Sequence, residues 1–264
     1  MTADAKTIAR AAGLIYQARR SAEPCPPVRD LLPAGEIDTA YAVQESNTKR
    51  WLGEGRLLSG RKIGLTSQAV QRQFDVNQPD YGMLFADMAV PAGGVVAPGR
   101  LIQPKVEAEV ALVMARGLPG PRITLAEVIS AVDYAVCAIE IVDSAIAGWN
   151  INLIDTIADN ASSGLYVLGT RPRRLEGLDL RLCGMLMQVG GQTASLGVGA
   201  ACLGHPLNAV LWLAQTMARL GRPLEAGDTV LSGALGPMAG VHWGEAVKVE
   251  IAGLDSVEVT FAKE

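Results

Sequence analysis

The chain is poor in the residues that soft-metal and redox sites use. It has two histidines, His205 and His242, far apart in sequence, and four cysteines, Cys25, Cys137, Cys183 and Cys202, with no C-x-x-C spacing. A zinc cluster therefore has no ligand set, and the cysteines read as reduced packing thiols of a cytoplasmic protein. Long apolar runs are also missing: Asp, Glu or Gly interrupts each one well before the roughly 20 residues that a membrane span needs. Near the start, Asp4, Lys6 and Arg10 are scattered through an Ala-rich stretch, so no secretory signal is expected. Basic residues form no stripe, and the net charge is −4, which argues against nucleic acid as a partner. There is no G-x-G-x-x-G, no Walker loop and no G-x-S-x-G, so nucleotide-binding and serine-hydrolase readings lack support. No repeat at a solenoid period is present.

What remains is an ordinary globular composition. The 264 residues are 49% hydrophobic and 19% charged, enough for one large core with an appendage. Residues 3–20 carry Ile8, Ala11, Ala12, Leu14 and Ile15 at helical spacing, and Pro24, Pro26 and Pro27 end that segment. A second helix is expected after Asp38, with Ala40, Val43, Trp51 and Leu52 on its apolar side. A Gly-rich junction with Gly53, Gly55 and Gly60 follows. These features define a small helical N-terminal subdomain, 1–58, ahead of a core at 59–264. In the core, Leu84 to Val96, Val106 to Met114, Ala135 to Val142, Leu165 to Leu168, Leu182 to Val189, Val230 to Leu231 and Val247 to Ile251 read as strands. Thr124 and Glu127 form a capping box, and Pro206 occupies a first-turn position before an apolar face that Gly221 closes. Strands and helices do not alternate regularly, so the expected fold class is α+β with a β-rich mixed-sheet core rather than a doubly wound sheet.

Within the second of those strands, Lys105-Val106-Glu107-Ala108-Glu109-Val110 places two carboxylates two residues apart. Side chains at i and i+2 share a face of a strand, so Glu107 and Glu109 stand side by side. Like charges held together need a metal, a buried base or a shared proton; a strand with one wet face is the plainer alternative. Glu140, alone in the apolar run Ala135 to Val142, adds a third carboxylate that must be paired or coordinated. A buried ion pair with Lys or Arg would satisfy it. So would a hard divalent ion, Mg²⁺ or Mn²⁺, held by all three glutamates. Three glutamates leave one negative charge in excess around such an ion, so an anionic substrate requires another cation. Lys62, in an apolar Gly-containing segment, is the first candidate for it. Lys105, on the same strand parity as the glutamates, is the second. Asn77-Gln78-Pro79-Asp80 has turn composition and puts Asp80 where it can serve as a base or a cap. Residues 155–164 are rich in small polar groups, and Ser232-Gly233 lies in a turn able to approach a ligand.

Six ordered segments together resemble the 2-keto-4-pentenoate hydratase and 4-oxalocrotonate decarboxylase family of the fumarylacetoacetate hydrolase superfamily. They are Gly60 to Thr66, Gln78 to Gly82, Pro104 to Glu109, Ile139 to Asp143, Ala158 to Ser162 and Leu203 to Pro206. The segment Leu231 to Met238 resembles the hydratase branch, with Ser232 where Thr is frequent. The resemblance implies a fumarylacetoacetate hydrolase-type core, Glu107, Glu109 and Glu140 as Mg²⁺ or Mn²⁺ ligands, and Lys62 and Asp80 as catalytic residues. It also implies Ser162, Ser232 and Gly233 in the substrate pocket. The expected reaction is hydration of 2-hydroxypenta-2,4-dienoate, a product of aromatic meta-cleavage, to 4-hydroxy-2-oxopentanoate. Alternatives are decarboxylation of 2-oxo-3-hexenedioate and a non-catalytic partner of such a decarboxylase. A homo-oligomer is implied, as is association with other enzymes of the pathway.

Overall fold

In the computed structural model, residues 3–33, 35–67, 71–72, 76, 78–120 and 122–263 are described. The turn expected around Asn77 falls partly outside them.

The longest strands are β5 (Pro104–Met114) and β6 (Val132–Asp143), which pair antiparallel from Pro104↔Asp143 to Met114↔Val132. Both are almost entirely buried, and their alternation has a different use on each face. Val106, Ala108, Val110, Cys137, Ile139 and Ile141 join the main apolar core, while Glu107 and Glu140 are direct cross-strand partners on the other face. A strand buried on both faces stays in register because a one-residue slip would exchange the glutamates with the core residues.

Around this pair the larger sheet runs β2-β1-β10-β5-β6-β7-β3. Its other members are β1 (Leu58–Gly64), β2 (Asp80–Phe85), β3 (Ala89–Val90), β7 (Ser163–Leu168) and β10 (Thr229–Ala234), and β11 (Ala239–Gly240) pairs on β5. Pairing is mostly antiparallel, with β1–β10 and β3–β7 parallel. A second sheet has the order β4-β13-β12-β8-β9, formed by β4 (Val95–Val96), β8 (Gly184–Val189), β9 (Gln192–Val198), β12 (Ala246–Ile251) and β13 (Asp255–Phe261). Val247, Val249, Val257, Val259 and Phe261 of this sheet share the core with β5 and β6.

Helices cover the ends. α1 (Ala5–Ser21) opens on Asp4, whose side chain accepts from the Thr7 amide, and α2 (Ile37–Gly53) packs on it. Asn47 of α2 donates to the Ala12 carbonyl at 3.0 Å. A smaller apolar cluster joins Ala11, Ala12, Ile15, Ala40 and Val43 of these helices to Ala145, Ile146, Ile154 and Ile157. The helical hairpin is thereby fixed onto the segment that follows β6. α3 (Leu125–Ala131) carries the expected Thr124–Glu127 capping box. α4 (Leu153–Ala158) has a second capping box on Asn152 and Asp155. α5 (Pro206–Arg219) starts with Pro206 in its first turn, and His205 Nδ1 caps the Leu207 amide. Among the described residues, no helix is long and apolar enough to cross a membrane.

The structure and the sequence reading differ at several points. The run Leu84 to Val96 is not one strand: β2 ends at Phe85, a short 3₁₀ turn (Ala86–Met88) leads into β3, and Pro91 and Gly93, whose φ is +72°, separate β3 from β4. The polar stretch at 155–164 begins inside α4 (Leu153–Ala158), because the Asn152 cap lies upstream of it. The Gly-rich junction runs straight into β1. Gly60 lies within that strand at φ +158°, where a Cβ would sit 1.9 Å from the Thr229 carbonyl oxygen.

Candidate metal and acid-base site

Four strands of the larger sheet supply the chemistry. Lys62 comes from the middle of β1, Asp80 from the first position of β2, Glu107 and Glu109 from β5, and Glu140 from β6. One carboxylate oxygen from each of the three glutamates lies within 4.8 Å of the others. Lys62 Nζ stands 3.0 Å from Glu140 Oε1. Glu109 Oε2 accepts from the Gly233 amide at 2.8 Å.

Position and burial together account for the electrostatics. Lys62, Asp80, Glu109 and Glu140 are each 4% exposed or less. Burial pushes Asp80 up to about 6, with Lys62 opposing and Glu140 adding to the rise. Burial, then the Glu140 charge, pushes Glu107 up to about 7. Burial, followed by Glu140 and Glu107, carries Glu109 well above the ordinary carboxylate range. Burial alone would lower Lys62, but Glu140, Asp80, Glu107 and Glu109 outweigh it and hold the ammonium charged.

One lysine does not neutralise four carboxyl groups. Glu109 Oε1, both Glu140 oxygens and Asp80 Oδ1 are buried without a hydrogen-bond partner; the Lys62–Glu140 contact is close enough for an ion pair but lacks hydrogen-bond geometry. Such atoms are expensive to leave unmade. Three converging carboxylate oxygens, without sulfur or imidazole, fit a hard divalent cation.

Asp80 has room because its cross-strand neighbour is Gly64, where a Cβ would lie 2.2 Å from Asp80 Oδ1. Ser162 is buried, with its hydroxyl 3.3 Å from that of Thr156. It ends a run of three non-glycine residues in the left-handed region, Asn160, Ala161 and Ser162, with φ of 55°, 52° and 53°. Each such residue costs on the order of 1–3 kcal/mol and persists only where its surroundings impose it. Ser232 and Gly233 have different surroundings from the open turn expected. Between Leu231, paired with Ala111, and Ala234, paired with Glu109, β10 is bulged. The bulge turns the Gly233 amide onto Glu109, and Thr66 packs where a Gly233 side chain would be, 2.3 Å from an added Cβ. Ser232 is fully buried, its hydroxyl has no hydrogen-bond partner, and its carbonyl accepts from the Cys202 thiol at 2.8 Å. Lys105 is held with Nζ 4.2 Å from the Trp149 ring centre and helps to offset the rise at Glu107.

Sequence reading missed the groups behind the site. Arg19 of α1 donates to Asp143 Oδ2 at 2.9 Å and to Asp159 Oδ1 at 2.8 Å. Asp143 also accepts from the Ile102 and Gln103 amides, and Asp159 from the Ala145 amide. The only signal available was a pair of acids, Asp143 and Asp159, inside otherwise apolar or small-residue segments.

The trio of glutamates and the buried lysine and aspartate all stand on the larger sheet. The chain belongs to the fumarylacetoacetate hydrolase family: the family described as "Fumarylacetoacetate (FAA) hydrolase C-terminal" matches residues 59–262. Among known proteins, the chain is 58% identical over 262 residues to the TodF product hydratase of Pseudomonas putida F1, covering 99% of this chain and 98% of that one. It is 59% identical over 252 residues to 2-keto-4-pentenoate hydratase 1 of Dechloromonas aromatica, covering 96% of each. Among solved structures, 4-oxalocrotonate decarboxylase from Pseudomonas putida G7, complexed with magnesium and adipate, superimposes with a TM-score of 0.94 at 36% identity, covering 98% of this chain and 99% of that one.

Proposed function

We propose that this protein is a metal-dependent hydro-lyase that adds water to 2-hydroxypenta-2,4-dienoate (2-keto-4-pentenoate), giving 4-hydroxy-2-oxopentanoate. The observation that carries this reading is the under-neutralised cluster of Glu107, Glu109 and Glu140 with Lys62 and Asp80, in a chain 50% or more identical along most of its length to several 2-keto-4-pentenoate hydratases. Residues 59–264 form the metal-binding core in this reading, and residues 1–58 form the helical subdomain. A cytoplasmic homo-oligomer that associates with other meta-cleavage enzymes is the corresponding cellular form.

Glu107, Glu109 and Glu140 would hold Mg²⁺ or Mn²⁺, which when bound supplies Lewis-acid stabilisation of negative charge on the substrate's 2-oxygen. The chain's own groups then handle the protons. The reaction needs the 2-hydroxyl to lose a proton and C5 to gain one, giving the 2-oxo-3-enoate; water oxygen then adds at C4 and C3 takes a proton. Asp80 is suited to carry these protons, since Oδ1 is free of partners and the carboxyl, pushed up to about 6, exchanges near neutral pH. Lys62 stays cationic and offsets the excess negative charge when an anionic substrate enters. The Ser162 hydroxyl orients the substrate. Ser232 and Gly233 act from behind, Gly233 by holding Glu109.

The test is the ultraviolet decay of freshly generated 2-hydroxypenta-2,4-dienoate, after chelation and again after Mg²⁺ or Mn²⁺ is restored, with the product identified by NMR. Metal-dependent appearance of 4-hydroxy-2-oxopentanoate is expected. The likeness to the decarboxylase fold sustains a second reading, and CO₂ release from 2-oxo-3-hexenedioate without hydration of the dienoate would replace the first with it. Inertness toward both substrates would leave the role of non-catalytic partner.

A further inference from the structure

The side chain of Asn160 does something that the reaction scheme leaves unassigned. Its Oδ1 accepts from the Met83 amide at 2.7 Å, and its Nδ2 donates to the Met83 carbonyl at 2.9 Å. Both groups lie on the edge of β2 away from β1, so a single side-chain amide takes the place of a neighbouring strand. The fit is close. A Cβ on Gly82 would sit 2.3 Å from the Asn160 carbonyl oxygen and 2.6 Å from Ser163 Oγ. Ser163 Oγ in turn donates to that same carbonyl at 2.8 Å.

This contact joins two segments that are 77 residues apart in sequence. Met83 lies three residues after Asp80 on a fully buried strand. Asn160 lies two residues before Ser162 and begins the left-handed run that presents it. That run has no glycine to relax it, and the Asn160 amide is the side-chain grip that fastens it to the sheet. Asp159, one residue earlier, is tied separately to Arg19.

We infer that Asn160 is a positioning residue, holding the turn that carries Ser162 to the strand that carries Asp80, and that its loss lowers turnover without weakening metal binding. This rests on the hydratase reading above. The structure separates the two effects because, among the described residues, the Asn160 hydrogen bonds run to Met83 and Ser163 and not to Glu107, Glu109 or Glu140.

The experiment compares wild type with Asn160→Ala, Asn160→Asp, Ser162→Ala and the Asn160→Ala/Ser162→Ala pair. It measures kcat and KM for the dienoate, Mn²⁺ affinity by titration, and hydrogen exchange of the peptide containing Met83. The expected result for Asn160→Ala is a fall in kcat of about 10- to 100-fold, typical of misplacing a reacting group by about 1 Å, with Mn²⁺ affinity unchanged. Ser162→Ala is then expected to cost much less in the Asn160→Ala background than in wild type, and exchange at Met83 to accelerate. Asn160→Asp keeps the acceptor and loses the donor, so it reports on the clamp even if Asn160→Ala does not fold. Independent, multiplicative losses for the two sites would overturn the inference, as would kcat retained in both Asn160 variants. If wild type fails to hydrate the dienoate, the hydratase reading falls by itself. Met83 exchange then decides whether Asn160 is the clamp: faster exchange in the variants supports it, and unchanged exchange overturns it.

Discussion

Two buried charge clusters lie three residues apart on β6, and they are built in opposite ways. At Asp143, the guanidinium of Arg19 faces two aspartates, and backbone amides take up the remaining carboxylate oxygens. At Glu140, one lysine faces four carboxyl groups, and several oxygens have no hydrogen-bond partner. Asp143 and Asp159 are as buried as Glu109 and Glu140, so burial of the carboxylates does not mark the functional cluster. Incomplete compensation does, because a buried charge left short of partners costs stability and persists where something else is to be bound. The Arg19 cluster ties α1 to the start of β5 and to the turn bearing Ser162. The Glu140 cluster holds its capacity open.

This contrast predicts effects of opposite sign. The largest is expected for Glu109→Gln and Glu140→Gln. Each should lower kcat/KM by about 10³-fold, the equivalent of several kcal/mol of lost charge stabilisation, while raising the melting temperature of the metal-free protein by removing a buried carboxyl group that the cluster leaves undercompensated. A lowered melting temperature in both variants would contradict the difference drawn between the clusters. Asp80→Asn and Lys62→Met come next, with losses in kcat of about 10²-fold or more measured at saturating Mg²⁺. Arg19→Met should behave in the reverse manner. Breaking a saturated buried pair costs about 3 kcal/mol, which denaturant titration would register, while Mn²⁺ affinity stays near the wild-type value.

The smallest effect expected is in the pH dependence of stability. Glu107 is raised from 4.5 to about 7 and Asp80 from 3.8 to about 6 in the folded protein. Between the unfolded and folded values the native state binds more protons than the unfolded state, so metal-free stability should fall as pH rises from about 4 to about 7. Lys62, also raised, contributes nothing to that slope because it is charged in both states throughout the window. Thermal melts in chelator across this range should show the fall, and saturating Mg²⁺ should flatten it. A metal-free protein that gains stability over the same interval would indicate that the carboxylates are compensated in some other way.

Much of the site was legible because its chemistry is written in short strands. Period-two alternation placed Glu107 and Glu109 on one face, and the isolation of Glu140 in an apolar run marked it as partnered. Lys62 was harder to read, since its strand is interrupted by Gly60 and begins inside what looked like a loop. β13 escaped notice although Val257, Val259 and Phe261 alternate with Ser256, Glu258 and Thr260. The Arg19 and Asn160 contacts span 124 to 140 and 77 residues of sequence. Local periodicity carries no information about such pairings. Ser232 and Gly233 stood out as a turn, but only the bulge in β10 reveals that the Gly233 amide donates to Glu109.

The outer edge of β2 has a further consequence, for assembly. Gln44 donates to the Tyr81 carbonyl at 2.9 Å, Asn160 takes both backbone groups of Met83, and Met88 Sδ lies 3.2 Å from the Phe85 amide. An exposed strand edge is a template on which another chain can add a strand. Here that template is already used up by side chains from α2, from the turn before β7 and from the turn after β2. The larger sheet cannot be lengthened at this end by another copy of the chain, so copies that meet there must do so through side chains. The strand that carries Asp80 is thus closed to strand addition along its outer edge at Met83.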